Sequence, residues 1–403
     1  MKQRLQSQQA KSLVILSLMR GIAGPGLSSS LGVFFPYIAA ELGYSTGQLS
    51  LSVSLASVAG ALFLPFGGKL FGCLSKRRAT AVGVLLLAPA VAVLGWARSL
   101  FVWYLAAIPI GCGTVLLVNL MAPLWLCRLF PEGEGAALGY LMAGSGIVGA
   151  AVQPLLVRSI SRFGWRMTYF GLGVTALILM MAALRYLPCE KSCAPDAVPD
   201  RSKALSAPRS ADTRREFWTL FLFQGVITGF SMFRQHFSTF QRAAGFSEGT
   251  LGWALWLSMA AAALGAVLLG SLTRSFGAAR SGAAALTLGA VSFLCFLRAG
   301  NTAMFLLAAA LHGAASSAIG IVTPAMAREV FLEIDYGRRL SRVMVASPVC
   351  TLLFMQLFAF SFDHFGTYAP GLAAALTSLF LTLFLWTHAF SRFTRAARHR
   401  GGA

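Results

Sequence analysis

Three observations predict an all-α, polytopic membrane protein with twelve transmembrane helices in two pseudo-symmetric six-helix bundles. They are apolar runs of spanning length, an internal repeat, and basic residues gathered on one side of those runs. With 57% hydrophobic and 11% charged residues and a mean hydropathy of +0.72, a chain of 403 residues has too little polar surface to cover itself in water. Lipid must serve as its solvent. A hydrocarbon core about 30 Å thick takes roughly 20 helical residues per crossing. Unpaired backbone groups are intolerable there, so long runs without polar alternation must be helices rather than barrel strands.

The first six crossings are expected over Leu13–Ala39, Gln48–Leu70, Ala79–Ala97, Leu100–Leu126, Gly135–Val157 and Met167–Leu187. The first contains Arg20, the helix-weakening Gly24-Pro25-Gly26 and the run Ser28-Ser29-Ser30. The fifth carries Gly144-Ser145-Gly146-Ile147-Val148-Gly149, a small-residue face that lets another helix approach closely, and then Pro154. Gly164-Trp165-Arg166 links it to the sixth. The second six are expected over Phe217–Gln241, Gly249–Thr273, Ser281–Leu297, Ala303–Ala327, Val343–Phe362 and Tyr368–Phe390. Residues 188–215 are rich in Pro, Ser, Ala and charge, so 191–216 is expected to be a flexible cytoplasmic linker between an N-terminal bundle, 1–190, and a C-terminal bundle, 217–403.

The halves repeat one another at an interval of 202 residues. Gly43-Tyr44-Ser45-Thr46-Gly47-Gln48-Leu49 returns as Gly245-Phe246-Ser247-Glu248-Gly249-Thr250-Leu251, and Gly68 and Leu70 return as Gly270 and Leu272. At 201, Pro123, Phe130, Glu132 and Glu134 are echoed by Pro324, Phe331, Glu333 and Asp335. Paired six-span repeats are the architecture of many solute transporters, with a site at the repeat interface.

A net charge of +20 suits nucleic acid only if the charge is clustered for it. With the N-terminus in the cytoplasm, 25 of the 33 Lys and Arg fall at cytoplasmic positions, among them Lys76-Arg77-Arg78, the stretch 201–215, and Arg392, Arg395, Arg398 and Arg400. Arg98, Arg158, Arg162, Arg166, Arg242 and Arg298 fall outside. That asymmetry predicts an integral protein of the inner or plasma membrane with both termini cytoplasmic, the lipid bilayer as its partner, and no nucleic-acid role. No cleavable signal peptide is expected, because the first apolar run is of spanning length. Cys73, Cys112, Cys127, Cys189, Cys193, Cys295 and Cys350 have no metal-ligand spacing, so neither metal nor cofactor is expected.

In both halves the link after the second span holds Gly-x-Leu followed by basic residues: Gly68-Lys69-Leu70-Phe71-Gly72-Cys73-Leu74-Ser75-Lys76-Arg77-Arg78, and Gly270-Ser271-Leu272-Thr273-Arg274-Ser275-Phe276-Gly277-Ala278-Ala279-Arg280. Here the chain resembles the major facilitator superfamily, whose motif in this link is Gly-x-x-x-Asp-Arg-x-Gly-Arg-Arg. The acidic position holds Gly72 in one half and Arg274 in the other, so the family's charge latch is not expected. Close packing at Gly68, Gly72, Gly270 and Gly277 and a basic cytoplasmic anchor at Arg77 are expected at the gate. The glycines of the fifth span together with Trp165-Arg166 are similar to the monocarboxylate and oxalate:formate exchanger-like branches.

Two arginines inside expected spans are the leading functional residues. An ionised side chain in hydrocarbon usually faces an aqueous cavity and marks a solute path; the competing explanation is snorkelling to a span end. Arg234 lies beside a helical stripe of Gln224, Thr228, Ser231, Gln235 and Ser238, while Arg20 is followed by Ser28. His312, Ser316 and Thr323 form a stripe on the tenth span, and Thr114 and Asn119 give the fourth span polar groups. The resemblance implies that spans one, four, seven and ten line the central cavity. Arg234, Arg20, His312, Asn119, Gln235, Ser231 and Ser28 are therefore the candidate substrate ligands, with His236 and His312 as candidate proton carriers.

None of the thirteen Asp and Glu falls deep within an expected span. A cavity with arginine but no carboxylate favours an anion, since the guanidinium fork binds carboxylate bidentately. The reading is a monomeric secondary transporter of a small organic anion, a carboxylate, working by alternating access as exchange, uniport or proton symport. An efflux pump for neutral or amphiphilic compounds is the alternative, and a receptor or scaffold on the same fold is a third. An enzyme is not expected, because no nucleophile-base set is visible.

Overall fold

The structure, a computed structural model, describes residues 2–129, 134–187, 214–331 and 333–391, and these residues form helices and short links with no strand among them. The tails around Arg392–Arg400, linker residues 191–213, Cys189, Cys193, Phe130 and Glu132 lie outside the described residues. The first span begins as α1 (Lys2–Gly21), passes through a widened π turn (Ile22–Leu27) and a tight 3₁₀ segment (Ser28–Phe34), and ends as α2 (Phe35–Leu42). It is followed by α3 (Thr46–Cys73) and α4 (Lys76–Leu94), each starting behind a serine cap. At Ser45 the cap is a full capping box with Gln48, which satisfies two orphan amides at once. The fourth span is α5 (Leu100–Thr114), a π turn (Val115–Leu120) and α6 (Met121–Leu129). The fifth and sixth are α7 (Glu134–Tyr186), which turns at Gly164.

The second half follows as α8 (Arg214–Ser231), a 3₁₀ turn (Met232–His236), α9 (Phe237–Ala243), α10 (Glu248–Phe276) and α11 (Ala278–Leu297). The tenth span is α12 (Thr302–Ser316), a 3₁₀ turn (Ser317–Gly320) and α13 (Val322–Val330); α14 (Glu333–Met344), α15 (Ala346–Phe365) and α16 (Ala369–Ala389) are the last helices of the described residues. Among the described residues ten helices are long and apolar enough to cross a membrane, and the one over Gly139–Tyr186 serves two crossings because of its turn at Gly164. The seventh expected span is helical from Arg214 to Ala243 but is less apolar than the rest, since it carries Gln224, Thr228, Arg234 and Gln235.

The repeat legible in the residues is also a repeat in the positions of positive-φ glycines. Gly43 and Gly245, 202 apart, both have positive φ (70° and 73°), as do Gly164 and Gly366 at the same interval (77° and 67°). Each ends a helix in a conformation that side-chain-bearing residues rarely adopt. A second regularity concerns the breaks: the first, fourth, seventh and tenth spans each contain a π or 3₁₀ stretch in mid-helix. Broken helices in membranes are confined to protein-buried or water-lined positions.

Contacts divide the chain into two compact units, one of Met1–Pro195 with Arg234–Met259, the other of Asp196–Phe233 with Ala260–Ala403. The division falls inside the seventh span because the residues after Phe233 bond to the first span. The Gly32 amide donates to Gln235 Oε1 (2.8 Å), Gln235 Nε2 donates to the Ser28 carbonyl (3.2 Å), and Ser238 Oγ donates to the Val33 carbonyl (2.8 Å). A Cβ on Gly32 would collide with the Gln235 backbone, so this approach requires glycine.

Candidate functional site

The break in the first span is built around Pro25, which has no amide to donate and so frees a carbonyl one turn back. Side chains bond other carbonyls of the break. Ser28 Oγ donates to the Ala23 carbonyl (2.9 Å), while Ser30 Oγ (3.1 Å) and Gln153 Nε2 (3.0 Å) donate to that of Pro25. Gln153 Nε2 also reaches Ser30 Oγ (2.8 Å), tying the break to the fifth span. The glycine face of that span does what its composition suggests: a Cβ on Gly149 would clash with Pro25, and one on Gly144 would lie 2.9 Å from Ser17. Ser28 Oγ and Thr114 Oγ1 share a hydrogen bond of 2.7 Å, which joins the first and fourth spans.

Arg20 stands just before this break on its own helix, and Arg234 contacts it. Arg20 Nη1 donates to Ser145 Oγ (2.8 Å) and Nε to the Val118 carbonyl (3.3 Å), a backbone group of the π turn in the fourth span. Its head is therefore turned across the bundle rather than along the helix to an interface, which rules out snorkelling in this conformation. Arg234 Nη2 makes one long contact, to Ser29 Oγ (3.4 Å), and its buried Nε has no hydrogen-bond partner. Among the described residues neither guanidinium has a carboxylate within ion-pair reach. A cation in hydrocarbon without a counter-ion is costly, and neutral oxygens offset only part of that cost.

The other candidate ligands divide. Ser28 belongs to the break and Gln235 holds the first span by its backbone, as above. Ser231 is buried and donates to the Thr228 carbonyl of its own helix (2.7 Å). Asn119 is exposed, and it is the carbonyl of its neighbour Val118 that Arg20 engages. His236 is fully buried on the 3₁₀ turn that carries Arg234. Ser145, Ser29 and Gln153 were not singled out as ligands from the sequence; a serine flanked by glycines and a lone amide in an apolar helix were the signals available.

In the other unit, Gln224 donates to Ser347 Oγ (2.8 Å) and Thr228 Oγ1 (3.3 Å) and accepts from Thr323 Oγ1 (2.5 Å). This network joins α8, α13 and α15. His312 lies apart from it, with Nε2 3.0 Å from the Phe230 carbonyl and ring centroids of Phe230, Phe233, Phe293 and Phe296 at 4.5 to 6.5 Å. It is enclosed by aromatic rings and has no accessible surface. Glu216, expected at the end of the linker, is buried in the first turn of α8.

The expected gate residues are also placed differently. A side chain on Gly68 or Gly270 would meet nothing within 4 Å, so neither glycine is close-packed in this conformation. Gly72 lies within α3. Gly277 is required for its conformation, with φ 85°, as it starts α11, whose Ala278 amide donates to Glu329 Oε1 (3.1 Å). Arg77 is partly exposed in the first turn of α4, while the anchoring contact comes from its neighbour: Lys76 Nζ donates to the Leu124 carbonyl (2.6 Å) and lies 5.9 Å from the Trp125 ring.

Solved structures share this fold. The nucleoside transporter NupG, in a point-mutant form, superposes with a TM-score of 0.79 at 12% identity, covering 95% of this chain and 100% of that one. A bacterial homologue of the human lysosomal transporter Spinster, inward-facing and unoccupied, gives 0.68 at 15% identity with 97% of each chain covered. A POT family transporter in complex with a thioalcohol-conjugated peptide gives 0.71 at 13% identity, covering 95% and 96%. No curated protein matches the sequence. The sequence profile of the Major Facilitator Superfamily matches residues 16–247 and again 236–401. With a repeat in sequence and backbone, helices of membrane-spanning length and a profile that fits from residue 16 to 401, the chain is an integral membrane protein that belongs to the Major Facilitator Superfamily.

Proposed function

We propose that the protein is a secondary transporter that moves a small organic anion, a carboxylate, across the membrane by alternating access. The observation that carries this reading is Arg234, a cation at a helix break whose buried Nε is unpartnered and whose one contact is a long bond to Ser29. A carboxylate docking on that fork supplies the missing acceptors and the missing charge together. Arg20, held by neutral oxygens, adds to the same positive field. This chemistry agrees with the similarity to the monocarboxylate and oxalate:formate exchanger-like branches, and it disfavours cationic substrates.

In this reading the sequence halves 1–190 and 217–403 are the moving bundles of a monomer, with both termini in the cytoplasm. If a proton is carried, His236, on the turn of Arg234, is better sited than the aromatic-caged His312. Counterflow in proteoliposomes is the test: unlabelled carboxylate inside should accelerate entry of labelled carboxylate. Acceleration only by neutral amphiphiles would overturn the proposal and favour an exporter of such compounds.

A further inference from the structure

The second and fourth spans touch along glycines, and a groove runs beside that seam. A Cβ on Gly111 would collide with the Ala56 carbonyl, one on Gly60 would lie 3.0 Å from the Gly111 carbonyl, and one on Gly67 would lie 2.9 Å from Leu120 Cδ1. Backbones brought this close leave their large side chains to either side. On one side Leu55, Leu62 and Phe66 of α3 and Phe101, Leu105 and Ile108 of α5 line a groove of about 660 Å³ with an apolar wall. All of these but Leu55 are exposed, and both helices belong to segments of membrane-spanning length, so the groove opens onto the acyl chains of the bilayer. Its two ends differ. At the outer end the Tyr104 hydroxyl donates to the Gln48 carbonyl (3.1 Å), so that polar tip is used within the protein. Towards the cytoplasm the stripe of Leu55, Leu62 and Phe66 continues at helical spacing to Lys69, which is exposed although it lies within the spanning segment Thr46–Phe71. Asn119, on the π turn after α5, is exposed as well. Because Gly67 faces its neighbour Leu120, the amide and Lys69 stand within about one helical turn of each other in depth.

We propose that this groove holds one anionic phospholipid of the cytoplasmic leaflet, with an acyl chain along Leu62 and Phe66, its phosphate on the Lys69 ammonium and the Asn119 amide donating to the glycerol ester. Length fits. From Leu55 to Lys69 the helix rises about 21 Å, which is one leaflet of hydrocarbon, about 15 Å, with the glycerol region beside it. Charge selects the headgroup: a zwitterionic lipid carries its own cation beside the phosphate, whereas an anionic one leaves its charge for the lysine. Lys76, Arg77 and Arg78, at the start of α4, add to the same field. The site is independent of the solute that the protein carries, since none of its residues belongs to the break in the first span.

Two measurements test it. In native mass spectrometry of the purified protein, phosphatidylglycerol should be retained at a concentration roughly fivefold below that needed for phosphatidylcholine with the same chains. Lys69→Gln should remove that preference and Lys69→Arg should keep it, while Ala59→Trp, which puts a large ring into the groove, should weaken retention of both lipids. In vesicles of phosphatidylcholine with a minority of phosphatidylglycerol, a photoactivatable group on the phosphatidylglycerol chain should label residues 55–66 and 101–112 of the wild-type protein. Equal retention of the two lipids, a preference that survives Lys69→Gln in folded protein, or a label confined to other segments would overturn the proposal. A lipid-free dimer shielded from the label would overturn it too, by seating a second copy in the groove. Should Lys69→Gln fail to insert, the labelling pattern of the wild-type protein decides alone.

Discussion

The two units each hold a cluster of polar side chains inside apolar helices, and they treat them in opposite ways. In the unit of Asp196–Phe233 with Ala260–Ala403, Gln224, Thr228, Thr323 and Ser347 bond to one another, so that a neutral network ties three helices together. In the other unit, Arg20 and Arg234 meet only neutral oxygens, and a guanidinium nitrogen is left bare. Mutually satisfied polar groups in a membrane hold helices together. Groups left under-satisfied are kept at a cost in stability, which is the pattern the proposed anion site requires.

The largest effect should come from the bare cation. Arg234→Gln should reduce carboxylate uptake tenfold to more than a hundredfold, since a charge-assisted bidentate contact is worth about 1.5 to 3 kcal/mol. Arg234→Lys should recover little, because a point charge lacks the planar fork. Normal carboxylate transport by inserted Arg234→Gln protein would remove the contrast between the two clusters.

Gln224→Leu should act on stability instead. It leaves Thr323 and Ser347 without their amide partner, at about 1 to 3 kcal/mol, and lowers the unfolding midpoint while the half-saturation concentration stays put. A large rise in that concentration, with stability retained, would make the second cluster a ligand site as well.

A smaller contrast lies in the repeated glycines. A Cβ on Gly164 or on Gly366 meets nothing within 4 Å, so Ala there costs only backbone strain. Gly366 sits in the left-handed helical region (φ 67°, ψ 5°), where Ala costs about 1 kcal/mol; Gly164 (φ 77°, ψ 165°) sits where essentially only glycine goes, at about 1 to 3 kcal/mol. Thermal midpoints of the two variants should fall in that order, Gly164→Ala the lower. Equal midpoints would mean that the link in the first half relaxes.

The smallest effect concerns His312. Enclosed by four phenyl rings and bonded to the Phe230 carbonyl, it has no accessible surface through which to exchange a proton with the solute path, so His312→Leu should leave the pH profile of uptake unchanged apart from its amplitude. A flattened profile would make it the coupling group.

Much of this was legible in the residues, because it depends on local quantities. Apolar run length decides that a segment crosses a bilayer, and Gly164-Trp165-Arg166 marks the link between the fifth and sixth spans by composition alone. Gly24-Pro25-Gly26 likewise announces a break from its own lack of a donor. What could not be read was the fate of each polar head. Arg20 finds the Val118 carbonyl and Ser145, 98 and 125 residues away, Gln235 finds Gly32 203 residues away, and His312, on the same kind of polar stripe as Gln224, ends in an aromatic cage. Helical periodicity says which side chains share a face, but not which partner that face meets. Bonding arginine to a neutral oxygen, histidine to a carbonyl among phenyl rings, or leaving a guanidinium nitrogen bare is settled by long-range packing, and only the tertiary structure decided it.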